Sequence, residues 1–217
     1  MLRNGTNIPI KLSQGTEGIS TPARDDDAEL VSLSQQGDLR AFEGLVLKHQ
    51  KRMLNIAYRI VGDYEDACEV VQDAFVAAYK NIRTFRGQAK FSTWLTSIIV
   101  NLSKNRLKQV RSRQGHEAFS LNDPIQRSDG EMTVDPPSKD LSVLDQMEKR
   151  DIQTWVQDCI KALDPDFREV LVLRDLQEFS YEEIAEMLKV RGGTVKSRLF
   201  RAREMVKDCL KRSLGEQ

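Results

Sequence analysis

The chain has 217 residues, 40% of them apolar and only 6% aromatic, and its 33 Lys and Arg are balanced by 33 Asp and Glu. That length admits one or two domains with modest cores, and zero net charge excludes a molecule coated in positive potential while leaving room for segregated charge. No apolar run approaches a membrane span and the N-terminus lacks a signal-peptide core, so a cytoplasmic protein without direct membrane insertion is expected. Cys68, Cys159 and Cys209 are far apart and each sits in a helical pattern. They read as small buried hydrophobes, not as a disulfide frame or zinc site. His49 and His116 are the two histidines, and no ligand-spaced cluster joins them, so no metal, cofactor or small-molecule substrate is expected.

Residues 1–24 are rich in Gly, Ser, Thr and Pro without periodicity and are expected to be disordered. Asp27 is placed to cap a short helix ending at Gly37. Asp38 then opens LRAFEGLVLKHQKRMLNIAYRIV, where Phe42, Leu45, Val46, His49, Met53, Ile56 and Ile60 recur at helical spacing. His49 falls among these apolar positions and reads as a core or boundary residue. Gly62 stops the helix, and Asp63 caps DYEDACEVVQDAFVAAYKNI. Ala67, Val70, Val71, Ala74 and Ala78 face inward there, leaving Asp66, Glu69, Gln72 and Asp73 as an outer strip that is either a solvated face or a docking surface for a basic partner.

The connection IRTFRGQAKF interleaves Arg83, Arg86 and Lys90 with Phe85 and Phe91 around Gly87. Ser92 is the expected cap of STWLTSIIVNLSKNRLKQVRSR, with Trp94, Leu95, Ile98, Ile99 and Leu102 toward a core. Thr96, Asn101, Lys104 and Asn105 are assigned to its polar face, and Arg106, Lys108, Arg111 and Arg113 to a basic end. Amides, aromatics and cations together suit single-stranded nucleic acid, although such aromatics also build cores. From Gly115 to Glu148 eight acidic residues meet only Arg127 and Lys139, a net charge of −6, and Pro124, Pro136 and Pro137 interrupt any helix. This reads as a flexible acidic linker dividing an all-α chain into two small helical domains.

The second domain opens with RDIQTWVQDCIKAL, expected to bury Ile152, Trp155, Val156, Cys159, Ile160 and Leu163, and Asp164-Pro165 then starts DFREVLVLRDL. Ser180 and Glu183 form a capping box for the next helix, with Phe179 and Ile184 as its staple. Val190 to Gly193 breaks the pattern, the two glycines being expected to take turn conformations. Thr194 is the expected cap of a last helix whose seam is Val195, Leu199, Ala202, Val206 and Leu210, and whose outer face carries Lys196, Ser197, Arg198, Arg201 and Arg203. Helix, short turn and basic second helix form a helix-turn-helix, in which the second helix reads the major groove.

Taken in order, EDACEVVQDAF, FRGQAKFSTWL, VNLSKN, LDPDFREVLVLRDL and SYEEIAEMLKVRGGTVKSRLFRAR resemble the bacterial sigma-70 family, in its extracytoplasmic-function group, over residues 25–113 and 148–212. The resemblance implies a tail at 1–24, a sigma region 2 domain at 25–113, a linker at 114–148 and a sigma region 4 domain at 149–213. It implies an RNA polymerase sigma factor, not an enzyme, whose partners are core RNA polymerase (the beta-prime clamp and the beta flap), promoter DNA and an anti-sigma factor. Asp66, Glu69, Gln72 and Asp73 are the implied polymerase interface. Arg86, Gly87, Gln88, Ala89 and Lys90 are the implied pocket for an everted minus-10 base, with Asn101, Lys104, Asn105 and Lys108 beside it. Thr194, Lys196, Ser197, Arg198 and Arg201 are the implied minus-35 readers, and the linker is implied to thread a basic channel of the polymerase. The turn KVRGG departs from the family's commoner GIPVG form, with Lys189 where glycine is frequent, Arg191 where proline is and Gly192 where valine is. A stand-alone helix-turn-helix regulator, binding a palindrome as a dimer, is the competing reading, and it leaves the acidic strip and the aromatic-basic loop without a task.

Overall fold

The computed structural model describes residues 27–117 and 143–213, with side chains for 27–112 and 152–213; the expected N-terminal tail and the middle of the expected linker lie outside the described residues. The described chain is helical, without strands. The first domain comprises α1 (Ala28–Gln35), α2 (Leu39–Val61), α3 (Tyr64–Asn81), a 3-10 turn (Ile82–Thr84) and α4 (Phe91–Glu117). The second comprises α5 (Val143–Lys161), α6 (Pro165–Leu171), a π-helical turn (Val172–Leu176), α7 (Tyr181–Leu188) and α8 (Gly192–Ser213). Both ends of the expected linker are therefore helix, since α4 runs on to Glu117 and α5 starts at Val143.

The caps that the sequence announces by side-chain chemistry form in most places. Asp38 accepts from the amides of Arg40 (2.8 Å) and Ala41 (3.2 Å), and Asp63 accepts from that of Asp66 at 2.9 Å, each satisfying a donor the helix cannot. Gly62 ends α2 at φ 84°, the left-handed conformation that favours glycine. Asp27 departs from expectation. It stands at the N-cap of α1, its carbonyl accepting from the Val31 amide at 2.8 Å, but its buried carboxylate makes no capping bond and lies 2.7 Å from His49 Nε2 and 2.6 Å from Lys48 Nζ, tying α1 to α2. His49 is itself buried, as a core or boundary residue should be. Ser92 falls inside α4, which begins one residue earlier.

Leu45, Met53, Ile56 and Ile60 of α2, Ala67 and Ala74 of α3, and Phe91, Leu95 and Ile99 of α4 form the centre of the first core. Each fully buried Leu, Ile or Phe contributes roughly 1.5–3 kcal/mol of transfer free energy. Phe85, Phe91 and Trp94 pack in edge-on and tilted pairs with centroids 5.1–6.0 Å apart, and His49 lies 5.6 Å from Phe91. The aromatics of the basic loop thus serve the core. Thr96 is also internal, with no exposed surface, because its hydroxyl donates to the Ser92 carbonyl at 2.7 Å and no longer needs water.

In the second domain Ile160, Leu163, Val170, Leu173, Ile184, Val195 and Leu199 share one core. Ile152 and Trp155 do not join it: they are 41% and 37% exposed, because α5 turns Cys159 and Ile160 inward, followed by Leu163 just past its end. A second correction concerns the cysteines. Cys159 and Cys209 form a disulfide, Cα to Cα 5.8 Å, because the inner face of α5 meets the C-terminal half of α8; Cys68 is free.

The two domains pack on one another, α2 and α4 against α5, α6 and α7. Arg168, 4% exposed, is the centre of that contact. It donates to the carbonyl of Ile60 at 2.5 Å, to that of Leu163 at 2.9 Å and to that of Lys161. These carbonyls lie at the C-terminal ends of α2 and α5, where a helix leaves acceptors without partners. Arg59 Nη1 donates to Gln157 Oε1 at 2.8 Å, and Arg52 donates to Gln177 while lying 5.2 Å above the Phe179 ring.

Candidate nucleic-acid and polymerase interface

The expected polymerase strip lies along α3, and the structure splits it. Gln72 and Asp73 are exposed. Asp66, half-buried, accepts from Arg106 of α4 (Nε 2.7 Å, Nη2 2.5 Å), and Glu69 lies 2.8 Å from the same guanidinium. Hydrogen bonding to Asp66 raises the Arg106 pKa above its ordinary value, so the guanidinium keeps its charge. Arg106 thus aligns α4 on α3 and leaves a carboxylate-and-amide surface at Glu69, Gln72 and Asp73.

The loop from Arg86 to Lys90 follows the 3-10 turn, where Gln35 of α1 donates to the carbonyls of Ile82 (3.0 Å) and Phe85 (2.8 Å). Arg86, Gly87, Gln88, Ala89 and Lys90 are all exposed, above the ring cluster of Phe85, Phe91 and Trp94. Gly87 sits at φ 67°, a turn that side-chain-bearing residues resist, although a Cβ there would meet nothing within 4 Å. Its glycine is required by backbone conformation and not by crowding. Asn101, Asn105 and Lys108 are exposed on α4 at spacings of four and three, a single face.

Lys104 behaves differently. It turns to the second domain, its Nζ 3.2 and 3.0 Å from the two oxygens of Glu169, which has no exposed surface. Arg198 of α8 approaches the same carboxylate at 3.7 Å and Asp166 at 2.5 Å. Burial pushes the Glu169 pKa up, against the pull of Lys104 and Arg198. Beside Lys104 and Arg198 a cleft of about 610 Å³ opens between the domains, lined by Lys104, Lys108 and Arg111 on one wall, by Thr194, Ser197, Arg198 and Arg201 on the other, and by Asp164 to Phe167. Residues expected to read two separate DNA elements therefore face one shared cleft.

The helix-turn-helix forms with its capping box complete: Glu183 N to Ser180 Oγ 3.1 Å, and Ser180 N to Glu183 Oε2 2.9 Å. Its turn is built otherwise than the two glycines suggest. Lys189 is the left-handed residue, at φ 54°, while Gly192 and Gly193 are the first residues of α8. Thr194 lies inside that helix, its amide bonded to the Arg191 carbonyl at 2.8 Å, and is not its cap. Lys196, Ser197 and Arg201 are exposed; Thr194 and Arg198 are half-buried. Arg203 is occupied by Asp175 (2.9 and 2.6 Å), which anchors α8 to the π-helical turn.

The sequence alone did not single out Arg168, Glu169, Gln157 and Gln177, which each meet the first domain, or Asp166, which holds Arg198. One signal was present: Arg168 and Glu169 run directly into VLVL, an apolar stretch in which a charged pair must find partners. Among the described residues, no group of three or more His, Cys, Asp or Glu is arranged to hold a metal ion, and no helix is long and apolar enough to cross a membrane.

Two family models match the chain: sigma-70 region 2 over residues 45–113, and sigma-70 region 4 over residues 153–206. The RNA polymerase sigma-H factor of Pseudomonas aeruginosa is 37% identical over 194 residues, covering 89% of this chain and 98% of that one. The ECF RNA polymerase sigma-E factor of Haemophilus influenzae is 37% identical over 184 residues, covering 84% of this chain and 94% of that one. The same fold occurs in the structure of CnrH in complex with the cytosolic domain of CnrY, with a TM-score of 0.60 and 24% identity over 86% of this chain and 97% of that chain. It occurs also in the sigma factor RpoE of Bartonella quintana solved with the anti-sigma factor NepR, with a TM-score of 0.60 and 23% identity over 80% of this chain and 98% of that chain.

Proposed function

Because this chain belongs to the sigma-70 family, in its extracytoplasmic-function group, we infer that it is a promoter-specificity subunit of RNA polymerase. It binds the core enzyme, directs it to promoters through minus-10 and minus-35 elements and helps melt DNA, working in the cytoplasm and leaving the bond-making chemistry to the polymerase.

The observation that carries the residue-level reading is the pairing of an exposed loop of cations and an amide with an exposed basic helix face on two separate domains. The loop Arg86–Lys90, with Asn101 and Asn105 nearby on α4, takes an everted minus-10 base. Extruding a base costs a few kcal/mol, so a site that holds only the extruded form couples recognition to melting. Lys196, Ser197 and Arg201 read the minus-35 major groove, and Gly192 and Gly193 leave the first amides of α8 open to a phosphate at a helix N-terminus. Glu69, Gln72 and Asp73 dock on the polymerase clamp, and Ile152 and Trp155, apolar and exposed on α5, suit the flap. An anti-sigma protein would cover these surfaces; two structures sharing this fold were solved with partner chains.

Lys104 and Arg198 cannot serve phosphates while both are engaged at Glu169, so promoter binding in this reading requires the domains to part. Run-off transcription with purified core polymerase, on a library of genomic promoter fragments, tests the function. Specific transcripts are expected only when the protein is present. Lys90→Ala or Asn101→Ala should impair promoter opening more than polymerase binding, and equal loss of both would remove the pocket assignment. DNA affinity of the holoenzyme should fall steeply with salt.

A further inference from the structure

The Cys159–Cys209 bridge closes a stretch of 50 residues and joins α5 to α8. Cys159 is 2% exposed, whereas Cys209 is half-buried near the end of α8, so a thiol from solution reaches the bridge from the Cys209 side. Residues on another face of α5 hold the first domain. Gln157 accepts from Arg59, and the Lys161 chain lies so close to Gly62 that a Cβ there would come within 2.9–3.0 Å of its carbons. Arg168 then binds the Lys161 and Leu163 carbonyls together with that of Ile60. One helix is thus gripped on one side by the disulfide and on the other by the neighbouring domain.

We propose that Cys159 and Cys209 are a reversible thiol–disulfide site that sets how firmly the second domain holds the first. Oxidised, the bridge fixes α5 on α8 and keeps Gln157 and Lys161 in register with Arg59 and Gly62. Reduced, α5 keeps only noncovalent contacts with α8 and the closed packing loosens, freeing Lys104 and Arg198. The reductant is a dithiol. One of its thiolates attacks the Cys209 sulfur, the bridge breaks, and Cys159 leaves as a thiolate that takes a proton. The second thiolate then attacks the mixed disulfide, releasing Cys209 as a thiol and leaving the reagent as a cyclic disulfide. Two electrons and two protons pass to the protein, and a disulfide reagent of the same class reverses the exchange. In a compartment where soluble thiols keep most cysteines reduced, a bridge of this kind is a sensing device more often than a permanent staple. That last step rests on the cytoplasmic reading above.

The full chain carrying Cys68→Ser, which removes the third thiol, is equilibrated with dithiothreitol or its oxidised form, quenched and alkylated. Two alkylated cysteines are expected after reduction and none after oxidation. Amide exchange of α5 should rise about tenfold or more on reduction, and the melting temperature of the second domain should fall by about 10 °C or more. The decisive reading is α2: amides near Arg59 to Gly62 should also exchange faster when reduced. Unchanged exchange there would make the bridge an internal staple and overturn the proposal, as would an alkylation count that does not respond to the reagents. Run-off transcription on both forms should be faster for the reduced one. Silence in both forms, with the exchange difference present, would count against the sigma reading and not against the switch.

Discussion

The two domains satisfy their buried polar groups differently. In the first, Ser34 donates to the Leu30 carbonyl at 2.7 Å, Thr96 to that of Ser92, and His49 meets Asp27, all within the domain, while Thr93 makes a long 3.5 Å contact with Glu183 across its boundary. In the second, Gln157, Arg168 and Glu169 all reach across to Arg59, Ile60 and Lys104. Apolar burial differs in the same direction, with twenty buried apolar residues in the first domain and thirteen in the second among the described residues. The smaller core leaves the second domain dependent on its neighbour and on a covalent link, as small domains commonly are.

The sharpest way to break this comparison is to damage each core separately. Phe91→Ala, which empties a fully buried site under the basic loop, should destabilise the first domain by about 3–5 kcal/mol and take the second with it. Arg168→Ala should cost about 3 kcal/mol, since it leaves helix-end carbonyls buried without a donor. Its damage should fall on the second domain and on closure, leaving the first domain's denaturation midpoint in place. Separate tryptophan probes, Trp94 for the first domain and Trp155 for the second, would resolve the two transitions. If both midpoints moved together after Arg168→Ala, the domains would be one cooperative unit.

Acid should sharpen the contrast. Burial raises the pKa of Glu169 above the ordinary 4.5, so this group is protonated more readily in the folded than in the unfolded chain. Its contribution to stability is therefore fully present below the unfolded value and is lost as pH rises through the folded one. Relative to a Glu169→Gln variant, the native chain should gain stability as pH falls across that window, read as a difference in denaturation midpoint. The smallest effect is expected at the turn. Lys189→Gly removes a left-handed side-chain-bearing residue and should stabilise the second domain by about 1 kcal/mol.

Helix patterns, the caps at Asp38, Asp63 and Ser180, and the exposure of the Arg86–Lys90 loop and of Lys196, Ser197 and Arg201 were legible in the sequence, because each depends on neighbours within one or two turns. Local rules failed where a distant partner decided the outcome, or where the same few residues allowed two local arrangements. Asp27 is written like a cap, yet His49 and Lys48 claim its carboxylate. Thr96 is written like a surface residue, yet a backbone carbonyl one turn away lets it go inside. Gly192 and Gly193 are written like the turn, yet the chain turns at Lys189 and spends both glycines inside α8. The pairing of Cys159 with Cys209 depends on how α5 and α8 cross, which no spacing rule contains. The same is true of the cleft that brings Lys104 and Arg198 to one carboxylate.

The grip of Arg168 on the ends of two helices also bears on how affinity is measured. A ligand that binds only parted domains is weakened by the fraction of molecules already parted. Were closed chains to outnumber open ones by about a hundred to one, promoter and polymerase would each bind about a hundredfold below their intrinsic strength, about 2.7 kcal/mol. A substitution such as Arg59→Ala, far from the candidate DNA-reading face of α8, would then register as a gain in DNA affinity while making no new contact with DNA.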